Sequence, residues 1–219
     1  MMTALDLPYL VSTLPLLWEG MQVTLLLTVL GILGGLALGT VLAVLRLARR
    51  KALAMLAGGY VNFFRSIPLL LGIFWFYFLM PLWLGHPVGG FYAALIGFVL
   101  FEAAYFCEII RSGIQSVRQG QILAGLASGL SYRQTMRAIV LPQALRNMLP
   151  VLVTQSINLF KGTALVYVVG VRDFLTAADV IGTRDNRLIE MYGLVALVYF
   201  LLCFAASLVA SRLQRRYAL

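Results

Sequence analysis

From Gly20 to Leu45 no residue carries a charge. Wound as a helix at about 1.5 Å per residue, this run exceeds the roughly 30 Å hydrocarbon core of a bilayer. Further apolar stretches follow at 52–84, 91–110, 147–171 and 191–210. A 219-residue chain that is 62% hydrophobic and only 11% charged cannot hide that surface in a soluble core. The expectation is an all-α integral membrane protein with five spans. Residues 1–219 would form a single transmembrane domain, with no room for a second soluble one. The second stretch is too long for one straight crossing. Either Ala52–Phe64 lies along the surface or in the cytoplasm, or the helix bends near Pro68.

The net charge of +9 does not point to nucleic acid, because the cations sit in bursts between apolar runs. Arg46, Arg49, Arg50 and Lys51 follow the first span. Arg111, Arg118, Arg133, Arg137 and Arg146 lie in the loop 111–146, and Arg212, Arg215 and Arg216 follow the fifth span. These are 12 of the 17 basic residues, and five spans put them all on one face. Asp6, Glu19, His86 and a mixed segment from Arg172 to Glu190 fall on the other. The positive-inside rule then places the N terminus outside and the C terminus in the cytoplasm. No basic residue precedes the first span, which is too long for a signal core, so no cleavable signal is expected. Cys107 and Cys203 fall inside spans and read as packing residues; no metal site is expected. Gly31, Gly35 and Gly39 form a small-residue stripe that lets another backbone come close, from this chain or from another subunit.

The loop 111–146 carries the clearest pattern. Ser131 and Gln134 fit a capping box, Gly129 sits where a preceding helix stops, and a helix starting at Ser131 is expected to end at Leu141-Pro142. The segment reads as helix, sharp turn, helix. Its amphipathic basic character fits a protein-docking element or a helix pair lying on anionic lipid.

Two charges lie inside spans, where an ionisable group is costly unless paired or hydrated. Glu102 and Lys161 each lie 11 residues from an outer span end, so both are expected about 16 Å below the outer surface. They read either as a structural ion pair or as a site for a zwitterion, with Lys161 meeting a carboxylate and Glu102 an ammonium. Gly162 permits a local break of the helix beside Lys161. Arg65 either anchors the bend at Pro68 or meets an acidic substrate. Glu108 and Arg111, three apart, read as an interfacial pair or coupling contact.

The loop resembles the EAA motif of ABC-importer permeases: Glu-Ala-Ala, three residues, Gly, nine residues, Ile, one residue, Leu-Pro. Here the register is Leu123-Ala124-Gly125, Gly129, Ile139 and Leu141-Pro142. Every spacing matches, while Leu123 replaces the acidic first residue and Gly125 stands third. Phe64-Arg65-Ser66-Ile67-Pro68, the run Glu108 to Ile114, Leu141-Pro142-Gln143-Ala144 and the run Leu159 to Val166 are similar to the polar amino acid uptake branch, nearest to glutamate and aspartate permease subunits. The likeness covers roughly residues 15 to 212. It implies a type I (MetI-like) permease fold of five transmembrane helices with a cytoplasmic coupling helix. It implies residence in the bacterial inner membrane and transport of polar amino acids, glutamate or aspartate first, with basic amino acids, glutamine or cystine as alternatives. It also implies two ATPase subunits that bind the ATP, a second similar or identical permease, and a periplasmic or lipid-anchored binding protein. The substrate path would then include Glu102, Lys161, Arg65, Gly162 and Thr163. The ATPase contact would include Leu123, Ala124, Gly125, Gly129, Ile139, Leu141 and Pro142. The chain has no G-x-x-x-x-G-K-[ST] loop and is expected to be no enzyme, holding no cofactor of its own. A membrane scaffold or a channel subunit would share the topology, but the charges inside the spans favour transport over a scaffold.

Overall fold

The computed structural model describes residues 7–217. Asp6, counted above on the outer face, lies outside them, as do the side chains at the C-terminal end, Arg216 included. Among the described residues every regular element is helical. In a membrane this is expected, since a helix satisfies its backbone hydrogen bonds internally.

Helix α1 runs Leu7–Arg46, starting thirteen residues before the charge-free run and keeping Pro15 inside it. Helix α2, Lys51–Arg65, ends where Ser66 turns back, its N–H and hydroxyl both donating to the Asn62 carbonyl. Ile67 precedes Pro68, whose ring disfavours the helical conformation there. The chain resumes as α3, Leu69–Phe74, a π turn at Trp75–Leu79 and α4, Met80–Leu84, closed by Gly85 at φ +74°. The long second stretch is thus broken at Pro68.

Helix α5 is Gly90–Gln115 and α6 is Gln119–Ala127. A short α7, Tyr132–Thr135, leads through a π turn, Met136–Val140, into α8, Leu141–Gly162. Thr163–Val169 continues as a 3₁₀ helix and stops at Gly170, φ +73°. Helix α9, Phe174–Arg184, precedes α10, Leu188–Tyr217. Among the described residues four helical stretches are long and apolar enough to cross a membrane, or five when the pair bent by 102° at Pro68 is counted as one broken span.

One expectation fails here. The helix that starts at Ser131 does not end at Leu141-Pro142. Proline lacks the N–H that an α-helix needs and crowds the preceding turn. The π turn absorbs this: the Leu141 N–H reaches the Met136 carbonyl, and the Gln143 side-chain amide donates to the Ile139 carbonyl at 3.0 Å. The wider turn lets α8 begin at Leu141 and carry Pro142 in its first turn.

The long helices feed two compact units. One holds the described part of Met1–Ile32 with Pro68–Val99 and Asn158–Ala205. Its core joins Leu27, Ile73, Phe98, Leu159 and Val166, and a second cluster sets Met21 of α1 against Phe174, Ala178 and Ile181 of α9. The other holds Leu33–Ile67, Leu100–Ile157 and the described part of Ala206–Leu219. There Leu42, Ala43, Val61, Ala103 and Cys107 pack together, with Val117, Val140 and Ala144 in a separate cluster. Cys107 and Cys203 are both free thiols.

The glycine stripe packs within the chain. A Cβ on Gly31 would meet Leu159 at 3.0 Å; on Gly35, the Cβ of Glu102 at 2.7 Å; on Gly39, the Ala103 carbonyl at 2.9 Å. Between membrane helices such backbone proximity, not hydrophobic transfer, supplies the adhesion.

Candidate functional site: a basic elbow and charges within the spans

The elbow is built from local chemistry. Helix α6 ends with the Ser128 N–H on the Ala124 carbonyl, and Leu130 donates to the Gly125 carbonyl. Gly129 makes the corner at φ +84°, a conformation that costs an L side chain energy. Ser131 then caps α7: its hydroxyl accepts from the Gln134 N–H, and Gln134 reaches back to the Ser131 N–H at 2.9 Å. The expected capping box and corner are both present.

Gly125 is the point where α6 touches its partner segment. A Cβ there would lie 2.9 Å from both Thr135 and Ile139. The glycine at the third position of the motif therefore has a packing reason. With Gly125 turned inward, Leu123 (63% exposed), Leu126 and Tyr132 face outward. Ala124 and Pro142 are exposed too, Leu141 partly so, while Ile139 is half-buried. Arg118, Arg133 and Arg137 are exposed around them. The elbow thus presents apolar side chains ringed by cations. Neither Leu126 nor Tyr132 is among the contact residues expected from the motif, because exposure on a short helix cannot be told from burial by residue type alone.

Within the spans, Glu102 is 5% exposed. Its partner is Gln155 of α8, whose Nε2 donates to the two carboxylate oxygens at 3.2 and 3.0 Å. Nothing in the spacing of charges pointed to this neutral residue. Lys161 is exposed, one residue before α8 ends at Gly162 and tightens into 3₁₀ geometry. The helix therefore changes form where the sequence places Gly162. Thr163 is fully buried and gives its hydroxyl to the Phe160 carbonyl at 2.7 Å. Arg65, exposed in the last turn of α2, lies over the Tyr105 ring at 5.7 Å, a cation–π contact that suits an anchor beside the Pro68 break.

Glu108 pairs with Arg111, as its spacing suggests, and also with Arg46 at the end of α1. In the Arg172–Glu190 segment, Asp173 is the buried N-cap of α9, accepting from the Thr176 and Leu175 N–H groups. Burial raises its pKa, against the pull of those hydrogen bonds. Asp185 accepts from Arg184 and from the Tyr9 hydroxyl at 2.9 Å; the Arg184 guanidinium first, then Tyr9, hold its carboxyl down to about 2.

Comparison with known proteins fits this arrangement. Residues 31–219 match the family model described as binding-protein-dependent transport system inner membrane component. The chain is 44% identical over 220 residues to the glutamate/aspartate import permease protein GltK of Escherichia coli O6:H1, covering 97% of this chain and 98% of that one. It is 37% identical over 198 residues to the probable glutamine ABC transporter permease protein GlnM of Bacillus subtilis, covering 90% and 91%. A crystal structure of an amino acid ABC transporter with histidines superposes with a TM-score of 0.90 at 31% identity, over 98% of this chain and all of that one. The fold is that of the type I importer permeases. Members are multi-pass inner-membrane subunits that work with ATPase and binding-protein partners and are not themselves enzymes. The chain belongs to this family, as an amino-acid permease subunit of an ABC importer.

Proposed function

We propose that this chain carries polar amino acids, glutamate and aspartate first, from a binding protein into the cytoplasm. It works as one transmembrane domain over 1–219, paired with a second similar or identical permease and driven by two ATPase subunits that bind the ATP. Its N terminus faces outward and its C terminus the cytoplasm. The elbow within 111–146 docks on the ATPase through Leu123, Ala124, Gly125, Gly129, Ile139, Leu141 and Pro142. The observation that carries this is the exposed apolar face of Leu123, Leu126 and Tyr132 on a basic elbow whose corner and cap are fixed by Gly129 and Ser131. An apolar contact there replaces the acidic residue that Leu123 lacks.

Glu102, Lys161, Arg65, Gly162 and Thr163 are the residues assigned to the substrate path, Lys161 as a cation for a carboxylate and Glu102 as an anion for an ammonium. With Glu102 offsetting Lys161, Arg65 is the remaining exposed cation of the path and favours an acidic side chain. The 44% identity to a glutamate/aspartate permease supports the same choice. The likeness to a glutamine permease keeps a neutral substrate as the second reading.

Reconstitution with the ATPase and binding protein tests both parts. Glutamate and aspartate are expected to drive uptake and to compete with each other, while glutamine, arginine and histidine do not. Uptake of glutamine alone overturns the acidic assignment. Leu126→Glu, on an exposed position, should leave the permease folded but uncouple hydrolysis from uptake; unchanged coupled transport overturns the docking assignment.

A further inference from the structure

We infer that Gln155 is a stand-in for the substrate's ammonium, holding the Glu102 carboxylate while the site is empty and giving it up when an amino group arrives. The inference rests on the reading of Glu102 proposed above.

The carboxylate is buried inside a span, and among the described residues its hydrogen-bond partner is a single neutral nitrogen, shared between its two oxygens. A buried carboxylate without a donor is expensive, so an empty site needs one. A permanent cation would satisfy it but compete too strongly with an ammonium. An amide N–H is the weaker donor, and an amino group carrying full charge outbids it.

The elements packed on Glu102 within its unit fix which part can yield. On one side α1 presents Gly35, so close that a Cβ would lie 2.7 Å from the Cβ of Glu102. That contact is backbone against side-chain root, and neither gives easily. It brings no titratable group to Glu102, and Gln155 of α8 brings none either; the next ionisable groups on α5 are Tyr105, Cys107 and Glu108. Gln155 is half-buried on a long, rotatable side chain, and among the described residues its amide makes no hydrogen bond except to Glu102. Swinging it away breaks nothing else. Exchange of partners is therefore a side-chain movement that needs no separation of helices.

A thermodynamic cycle gives the sign. Removing the amide destabilises the empty state, where Gln155 serves Glu102, but not the loaded state, where it has already left. Ligands with a free ammonium should then bind more tightly, and ligands without one should not. A hydrogen bond to a charged group corresponds to roughly a tenfold change in affinity.

The test is equilibrium binding of labelled L-glutamate and L-glutamine to the purified complex of this permease with its ATPase, without binding protein, each set against its N-acetyl derivative. Gln155→Met keeps length and apolar bulk while deleting the donor. It should raise the affinity of the free amino acid about tenfold and leave the N-acetyl compound unchanged. Gln155→Asn, which withdraws the amide on a shorter chain, should act in the same direction and serves if the methionine variant fails to assemble. Unchanged or weakened affinity, or an equal change for both ligands, overturns the stand-in role. Glu102→Gln separates this from the parent reading: it should erase the preference for the free amine. If that preference survives in Glu102→Gln, or neither amino acid binds the wild-type complex, the assignment of Glu102 itself falls.

Discussion

Glu102 and Glu108 sit on the same helix, α5, six residues apart, and meet opposite environments. Glu108 is about a quarter exposed and gripped by two guanidinium groups, Arg46 and Arg111. Glu102 is nearly sealed and has one neutral amide. Arg46 ties the end of α1 to Glu108 on α5, and Arg111 of α5 holds the same carboxylate; little that arrives from solution could displace both. A carboxylate held by an amide remains open to a better partner. The difference teaches that charge within a span says less about its role than the count and kind of donors around it.

The largest effect expected from this contrast is at Glu102. Glu102→Gln should lower uptake by about two orders of magnitude, because a buried charge aimed at a charged ligand is lost, while the melting temperature in detergent barely moves. Transport assays in proteoliposomes beside a thermal-shift curve measure both. A variant that transports normally would erase the contrast with Glu108.

Glu108→Gln should do the reverse. It leaves Arg46 and Arg111 facing an uncharged amide at the edge of the membrane, and the unit that contains all three should lose about 2 kcal/mol. Thermal unfolding should fall by several degrees, with the preference among amino acids unchanged. A shift in substrate preference would give Glu108 a place in the path and weaken the distinction drawn between the two carboxylates.

The contrast also marks what could be read from the sequence. The elbow is legible because its chemistry is local: Gly129, Ser131 and Gln134 specify a corner and a cap within six residues. The glycine stripe is legible because a period of four is a helical face; its partners, Leu159 of α8 at Gly31 and the 102–107 stretch of α5 at Gly35 and Gly39, are not, since pattern names a face but not what meets it. Pro142 misleads because the rule that proline stops a helix leaves out the π turn, beside which a side chain, Gln143, donates to the Ile139 carbonyl. Helix α9 has its signals, an Asp173 cap and apolar residues at 174, 177, 178 and 181, but they are hidden in a segment weighed only for charge. Gln155 leaves no trace at all. It is uncharged and lies 53 residues from Glu102, so only the packing of α8 beside α5 reveals it.

Asp185 supplies a third carboxylate and the smallest effect. It lies between α9 and α10, outside the spans, where Arg184 and the Tyr9 hydroxyl hold its pKa at about 2. An unfolded aspartate titrates near pH 4, so the folded state holds its charge to lower pH than the unfolded chain. The stability this contributes is complete above about pH 4 and disappears as pH falls toward 2. Its magnitude is small, because Arg184 is largely exposed and its ion pair is screened by water and salt. Asp185→Asn should therefore flatten the acid limb of thermal stability between roughly pH 4 and 2 and change little at neutral pH. Tyr9→Phe should flatten it less, since Arg184 remains. Neither should touch the preference for a free amine. If Asp185→Asn instead altered substrate affinity as strongly as Glu102→Gln, the number of donors around a carboxylate would not separate function from support, and position along the chain would matter more than the company each acid keeps.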